Sequence, residues 1–202
     1  MRRVVVTGMG AITPIGNDVP TFWENLLQGV CGIGPITRFD LSEFRISLAA
    51  EVKDFDPKEY IDKLEVRKHD LYCQYAIGAA AQAMEDSGIS GTLPPERLGV
   101  YFGSGIGGMT TFTSASERMM EKGPSKVSPF FIPMLIANMA AGVIAIRHNA
   151  QGPCIPVVTA CATGTNAIGE AFRAIRHGYA DAILAGGSEA AIDPLGMAGF
   201  MN

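Results

Sequence analysis

The sequence has few charged residues and no excess of basic ones. Only 18% of its 202 residues are charged, and 16 Lys and Arg against 20 Asp and Glu give a net charge of −4. This balance argues against a nucleic-acid-binding protein, which usually carries a basic surface. Because 48% of the residues are hydrophobic, the composition also excludes an intrinsically disordered chain. A folded domain with a large core or a large partner surface is expected.

The cysteines and histidines do not form a metal-binding pattern. No C-x-x-C pair occurs, and the three histidines are scattered along the chain. This spacing argues against a structural zinc site. A disulfide framework is not expected in a chain of this length without a secretion signal.

No apolar run is long and continuous enough to predict a membrane span. The longest, residues 129–146, is interrupted by Pro133, Asn138 and Gly142. The short apolar run after Arg3 ends at Thr7, and no clear cleavage site for a signal peptide follows. We therefore expect a soluble, cytoplasmic and reduced protein without a membrane span.

Apolar periodicity predicts strands that alternate with helices. The predicted strands are 3–6, 98–102, 155–159 and 182–185, and the predicted helices are 21–27, 71–87, 110–122, 134–147 and 165–176. In the last helix, the predicted buried face is Ile168, Ala171, Phe172 and Ile175. Such alternation predicts an α/β fold with a mixed or parallel sheet that is buried on both faces.

The glycine pattern Gly103-x-Gly105-x-x-Gly108 matches a dinucleotide-binding fingerprint, because it follows a predicted strand and precedes a predicted helix. The acidic residue that should follow about 20 positions later is missing, since Glu121 comes too early and lies in a helical stretch. A nucleotide-dependent oxidoreductase therefore stays open only as an alternative. The main interpretation of these glycines is turn geometry beside a site.

Cys161 is the strongest candidate for a catalytic residue. It lies where a predicted strand ends and a helix begins, between small residues, as in a nucleophile elbow. The helix N-terminus favours a thiolate at this position. The alternative is a small buried thiol, and this structural interpretation is preferred for the other cysteines, Cys31, Cys73 and Cys154. None of the histidines, His69, His148 and His177, is a convincing catalytic partner by its sequence context.

Six segments together resemble the β-ketoacyl-[acyl-carrier-protein] synthases, and most of all the type II elongating synthases of bacterial fatty acid synthesis. The segment around the nucleophile is Val-Thr-Ala-Cys-Ala-Thr-Gly at 158–164, and the others are 3–10, 103–108, 128–133, 138–142 and 185–189. The resemblance covers the whole chain but only the first half of the family enzyme. It implies the N-terminal half (residues 1–202) of a thiolase-like, layered α-β-α-β-α fold, with the C-terminal half absent.

The family resemblance implies a mechanism and partners. Cys161 would accept an acyl group from an acyl carrier protein, and malonyl carrier protein would then condense with it by decarboxylation to give a 3-oxoacyl carrier protein. The carrier would present both groups on phosphopantetheine, and the enzyme would be a homodimer without a metal or organic cofactor. The catalytic histidines and lysine would lie in the missing half, so this chain alone is expected to be inactive.

The resemblance also places further site residues. Ile106 and Phe131 match positions that line the acyl pocket near the dimer interface, although plain core packing is an alternative for both. An acidic carrier approaching a chain of net charge −4 needs a local basic patch. The candidates are Lys63, Arg67, Lys68 and Lys126. A non-catalytic, dimer-forming ketosynthase-like subunit and a polyketide-type ketosynthase remain alternatives, although Cys161 argues against the former.

Overall fold

The structure is a computed structural model that describes residues 2–202, and it shows an α/β arrangement. The helices are α1 (Val19–Leu27), α2 (Lys63–Val66), α3 (Leu71–Ser87), α4 (Met109–Lys122), α5 (Phe131–Leu135), α6 (Met139–Arg147), α7 (Thr163–His177) and α8 (Pro194–Met201). The strands are β1 (Gly34–Pro35), β2 (Leu48–Ala49), β3 (Leu98–Gly103), β4 (Cys154–Ile155) and β5 (Ala182–Gly187).

Three parallel strands form the central sheet, in the order β4-β3-β5. β3 pairs with β5 along six residues, from Leu98 opposite Ala182 to Gly103 opposite Gly187. β4 pairs with β3 at only two positions. Because all three strands run in one direction, their carboxyl ends meet at one edge, and the loops there hold the segments around Gly103, Cys161 and Ser188.

Helices cover the sheet on both faces. On one face, Val100 and Phe102 of β3 join a core with α3 and α6, whose largest fully buried member is Tyr72. On the other face, Tyr101 packs against Ala167, Ala171 and Ala174 of α7. This alternation follows from the period of two in a strand, and it makes β3 buried throughout.

The long helix α3 connects this core to the loops at the carboxyl edge of the sheet. Its N-cap is the buried Asp70, whose carboxylate accepts from the Tyr72 N–H and from the N–H and hydroxyl of Thr111 in α4. It ends at Gly88, whose left-handed φ of 61° suits a residue without a side chain. Within residues 2–202, no helix is long and apolar enough to cross a membrane.

The prediction of a buried strand at 3–6 is wrong for this chain. Residues 3–6 belong to none of the strands that the structure describes over 2–202, and Val6 is 77% exposed. Within this range they pair with no strand of either sheet, so nothing fixes them in a ladder. The turn that follows is packed tightly instead, because a Cβ on Gly10 would come within 1.9 Å of the Ala79 carbonyl oxygen in α3.

Two other predicted elements are shorter than expected. The helix predicted at 134–147 is divided into α5 and α6, because Ile136 has an extended backbone and its carbonyl accepts from the Tyr72 hydroxyl at 2.6 Å. The strand predicted at 155–159 is reduced to β4, because β4 pairs with β3 only at Cys154 and Ile155. The predicted strands at 98–102 and 182–185 and the helix at 71–87 are confirmed.

The predicted buried face of α7 is confirmed at Ala171 and is wrong at Ile168 and Phe172. Ile168 is 56% exposed and Phe172 is 42% exposed, while Ala167, Ala171 and Ala174 are buried. Alanines allow the helix to approach the sheet closely, and the larger apolar side chains then lie on the opposite side. This leaves α7 with an apolar surface that residues 2–202 do not cover.

Candidate active site

Cys161 lies at a sharp turn between the carboxyl edge of the sheet and α7, as the sequence predicts. The turn requires a positive φ of 51° at Ala160, the residue before Cys161. A non-glycine residue in this region is strained, and such strain is common at functional sites. Cys161 itself is exposed. The geometry presents its thiol at the start of a helix of 15 residues, where the helix dipole favours negative charge.

The side chain of Thr163 locks this turn. Its hydroxyl donates to the Ala160 carbonyl at 2.7 Å and accepts from the Thr159 N–H at 2.9 Å. The Asn166 side-chain amide donates to the Thr159 hydroxyl at 2.8 Å and extends the lock by one helical turn. Thr163 is only 4% exposed, so the two bonds of its hydroxyl are partly protected from water. They hold the backbone on both sides of Cys161.

Close backbone contacts explain the glycines around Cys161. A Cβ on Gly103, at the end of β3, would lie 1.7 Å from the Val157 carbonyl oxygen. A Cβ on Gly187, at the end of β5, would lie 3.0 Å from the Cα of Gly164 in α7. Only glycine at these positions lets the elbow sit directly on the ends of β3 and β5.

The loop 104–108 does not form a nucleotide site. The N–H of Gly105 donates to the Glu189 carboxylate at 2.9 Å, the N–H of Gly107 donates to the Ser104 hydroxyl, and the N–H of Gly108 donates to a backbone carbonyl. A pyrophosphate needs such N–H groups free at the loop and helix N-terminus, and a carboxylate beside them would repel it. We therefore drop the alternative of a nucleotide-dependent oxidoreductase.

The four thiols differ in accessibility. Cys73 is 2% exposed, and burial raises the pKa of its thiol to about 12. Partial burial raises the pKa of Cys154 as well. Cys31, Cys154 and Cys161 are all exposed residues, but only Cys161 precedes a long helix. Accessibility and helix position therefore favour Cys161 as the reactive thiol.

The three histidines do not complete a catalytic pair with Cys161. Within residues 2–202, no hydrogen bond joins the Cys161 thiol to an imidazole, whereas the Nδ1 of His69 lies 3.9 Å from the sulfur of the buried Cys73. Burial lowers the pKa of both His69 and His148, so both imidazoles favour the neutral form. His177 is the last residue of α7, at the opposite end from Cys161. Over the same range, no cluster of three or more His, Cys, Asp or Glu could hold a metal ion.

The structure places one of the two acyl-pocket candidates beside two of the carrier-docking candidates and leaves the other apart. A cavity of about 610 Å³ is lined by Phe131 together with Lys63 and Arg67. Ile106 lies apart from this cavity, exposed at the tip of the loop 104–108. The structure of this chain therefore does not bring Ile106 and Phe131 into one pocket.

The other two basic candidates lie near this cavity but outside its lining. Lys68 forms an ion pair with Glu65 at 2.5 Å, and its Nζ lies 5.8 Å from the centre of the Phe130 ring. Lys126 is exposed at the end of the short 3₁₀ helix Pro124–Lys126. Arg118 of α4 and Lys58 line the cavity as well, and the sequence analysis did not single them out.

Sequence reasoning missed Thr163, Ser104 and Glu189 as site residues. Thr163 and Ser104 lie inside the quoted motifs at 158–164 and 103–108, and Glu189 ends the motif at 185–189. Their hydrogen bonds across the site could not be read from the sequence, because Ser104 and Glu189 are 85 positions apart.

Comparison with known proteins places the chain among ketosynthases. The family model "Beta-ketoacyl synthase, N-terminal domain" matches residues 1–202. A 3-oxoacyl-[acyl-carrier-protein] synthase 2 of Staphylococcus aureus (strain COL) is 52% identical over 200 residues, which are 98% of this chain and 48% of that protein. The enzyme of the same name from Synechocystis sp. is 50% identical over 202 residues, which are 100% of this chain and 49% of that protein.

Solved structures agree with these sequence matches. The ishigamide ketosynthase/chain length factor matches with a TM-score of 0.89 and 32% identity, over 99% of this chain and 50% of that one. A ketosynthase of a type II polyketide system, solved in complex with its acyl-carrier protein and bound to the hexaketide, matches with a TM-score of 0.84 and 27% identity, over 98% of this chain and 53% of that one. The expected thiolase-like α/β fold is confirmed. The chain spans about half the length of the curated relatives it matches.

Proposed function

Because the chain belongs to the β-ketoacyl synthase family and matches its N-terminal domain, we propose that it supplies the nucleophile of a condensing enzyme of fatty acid synthesis. The observation that carries the proposal is the exposed Cys161 on an elbow held by Thr163. The identity of 50–52% to 3-oxoacyl-[acyl-carrier-protein] synthases 2 supports fatty acid elongation. The alternative of a polyketide-type ketosynthase rests on the solved structures, which are less similar in sequence at 27–32%.

The first step of the proposed reaction is acyl transfer to Cys161. The Cys161 thiolate attacks the carbonyl carbon of an acyl carrier protein thioester, and the phosphopantetheine thiolate leaves and takes up a proton. The N–H of Cys161 would form part of the oxyanion hole that stabilises the negative charge on the carbonyl oxygen. The rigid turn at Ala160 contributes by fixing the position of the sulfur relative to this N–H.

The second step is decarboxylative condensation. Malonyl carrier protein loses carbon dioxide, and the electron pair of the broken carbon–carbon bond attacks the acyl carbon on Cys161. The Cys161 thiolate leaves, and a 3-oxoacyl carrier protein is formed. By the family resemblance, two histidines and a lysine from a C-terminal half assist this step, which is consistent with the absence of a histidine hydrogen bond to Cys161 within residues 2–202.

The exposed apolar surface supports a second half that packs against this one. Ile168 and Phe172 of α7, Val158 before the elbow, and Val5 and Val6 are all exposed apolar residues. Covering such side chains contributes about 25 cal/mol per Å² of apolar area. The curated relatives are about twice as long as this chain. In the proposal, residues 1–202 are the N-terminal half, and a C-terminal half completes the five layers of the thiolase-like fold and the homodimer.

The basic rim of the 610 Å³ cavity supports carrier docking. Lys63 and Arg67 line the cavity, so a negatively charged carrier could be attracted to the place where Phe131 lies. Lys68 and Lys126 extend this basic region, and Ile106 with Phe131 would contact the acyl chain once a dimer brings the two loops together. A ketosynthase of similar structure was solved in complex with its own acyl-carrier protein, which supports a carrier as the partner.

Charge reversal tests the docking patch. In the complete protein, the double variant Arg67→Glu and Lys126→Glu should raise the apparent KM for carrier-bound acyl substrate. It should leave turnover of a small acyl thioester nearly unchanged, because rim charges act mainly on association. Equal loss on both substrates would mean that the fold or the active site is damaged, and the docking role would then be dropped.

A condensation assay tests the function itself. The complete protein is mixed with acyl and malonyl carrier proteins, and the 3-oxoacyl product is measured by mass spectrometry. Wild-type protein and a Cys31→Ala control should form product, whereas Cys161→Ala should not. Product formation by Cys161→Ala would refute the proposal. A wild-type protein that forms no product would favour the alternative of a non-catalytic, dimer-forming subunit. The cytoplasmic location inferred from the sequence stays a prediction.

A further inference from the structure

The carboxylate of Glu189 joins the loop after β5 to the loop after β3. Its Oε1 accepts from the Ser104 hydroxyl at 2.8 Å, and its Oε2 accepts from the Gly105 N–H at 2.9 Å. The Ser104 hydroxyl in turn accepts from the Gly107 N–H at 2.9 Å. Directly or through Ser104, the Glu189 carboxylate is therefore hydrogen-bonded to residues 104, 105 and 107 of the loop that carries Ile106.

The backbone that carries Glu189 is itself anchored. The N–H of the preceding Ser188 donates to the Gly103 carbonyl at 3.1 Å, and its hydroxyl donates to the Tyr72 carbonyl at 2.7 Å. Ser104 is 1% exposed, so the hydroxyl that donates to Glu189 is buried. The backbone at Glu189 is therefore held in place by its neighbour. Its carboxylate makes two charge-assisted hydrogen bonds that hold the loop 104–108.

The loop 104–108 also lies next to the turn that carries Cys161. A Cβ built on Gly105 would lie 2.9 Å from Glu189 Oε2 and 3.2 Å from the Ala160 carbonyl oxygen. Gly105 therefore lies close to both Glu189 and the residue with the positive φ that precedes Cys161. Displacement of Gly105 would remove the support behind the Ala160 peptide and would move Ile106 at the same time.

From this geometry, and building on the proposed function, we propose that Glu189 is a positioning residue for acyl transfer. It holds the loop 104–108 against the Cys161 elbow and sets where Ile106 meets the acyl chain. The proposal requires no contact between Glu189 and substrate. It predicts an effect on both the reactivity of Cys161 and the selectivity for acyl chain length, since the two depend on the same loop.

The test uses Glu189→Gln in the complete protein, because glutamine preserves the shape but loses the charge and the acceptor for one donor. The kcat/KM for acyl transfer should fall about tenfold, as expected for the loss of one hydrogen bond to a charged group. The fall should be unequal for short and long acyl carrier proteins, because Ile106 is released. Ser104→Ala should have a similar effect, and the double variant should not add the two losses. Glu85→Gln is the matched control, since Glu85 is an exposed carboxylate near the far end of α3.

A second readout separates this proposal from the proposed function. The rate of alkylation of Cys161 by iodoacetamide requires no condensation, and it should change in Glu189→Gln and Ser104→Ala but not in Glu85→Gln. Unchanged alkylation and an unchanged chain-length profile would overturn the positioning role. An equal loss for all chain lengths together with a lower melting temperature would also overturn it, because Glu189 would then only stabilise the fold. A wild-type protein without condensation activity would refute the proposed function alone.

Discussion

Replacing Thr163 with valine tests the lock on the nucleophile turn. Valine has nearly the same shape, but it removes the hydroxyl that donates to the Ala160 carbonyl and accepts from the Thr159 N–H. The Ala160 carbonyl keeps its bond from the Thr163 N–H at 3.1 Å, whereas the Thr159 N–H loses its partner. The change therefore weakens one side of the turn and leaves a donor unpaired on the other.

The expected loss follows from these two bonds. A hydrogen bond contributes about 1 kcal/mol net, and leaving the partly buried Thr159 N–H unpaired costs about 1–3 kcal/mol, so the unfolding free energy should fall by about 2–4 kcal/mol. In a protein of twice this length the unfolding entropy is about 0.8 kcal/mol per kelvin, so the melting temperature should fall by about 2–5 °C. Alkylation of Cys161 should also change, because the strained φ at Ala160 is no longer held.

Thr163→Ser is the matched control, because serine keeps the hydroxyl and loses only a methyl group. Thermal unfolding of the complete protein and iodoacetamide labelling of Cys161 are measured for both variants. Serine should stay close to wild type in labelling rate. If valine and serine gave the same melting temperature and the same labelling rate, the hydroxyl would not hold the turn, and the account of the elbow would be wrong.

Three further predictions concern the scaffold. Gly103→Ala should prevent folding, because its Cβ would lie 1.7 Å from a backbone oxygen. Gly142→Ala in α6 is the control, because its Cβ would meet nothing within 4 Å, and it should raise the unfolding free energy by up to about 1 kcal/mol. Expression levels and unfolding curves compare the two variants. The guanidinium of Arg97 is the largest cause that lowers the pKa of Asp181. Wild type should therefore exceed Asp181→Asn in stability at neutral pH, and the difference should fade as pH falls below about 4; a constant difference would contradict this. Residues 1–202 expressed alone should aggregate, because the apolar side of α7 stays exposed, and a monodisperse, cooperatively unfolding monomer would disprove it.

The elbow could be predicted from the sequence because its signals are local. An apolar strand, small residues on both sides of a cysteine and a following amphipathic helix occur within about 20 positions. The strands β3 and β5 were predictable for the same reason, since continuous apolar runs ending in glycine are typical of buried parallel strands.

Which face of a helix or strand is buried was harder to predict, because burial depends on residues that are distant in the sequence. Large apolar residues such as Phe172 were expected to face the core, but the alanines of α7 pack against the sheet instead. Val5 and Val6 have the composition of a buried strand and yet find no strand partner within residues 2–202. The bond between Ser104 and Glu189 bridges 85 positions, and no local pattern indicates it.

Mapping the acyl group is the most direct test of the claim that Cys161 is the acyl acceptor. The complete protein is incubated with an acyl carrier protein thioester in the absence of malonyl carrier protein, digested with trypsin and fragmented in a mass spectrometer. The tryptic peptide 148–173 contains both Cys154 and Cys161, so the fragment ions must separate the two. The account predicts one acyl group, on Cys161, and none on Cys154 or Cys31. An acyl group on either of these cysteines with Cys161 free would contradict it.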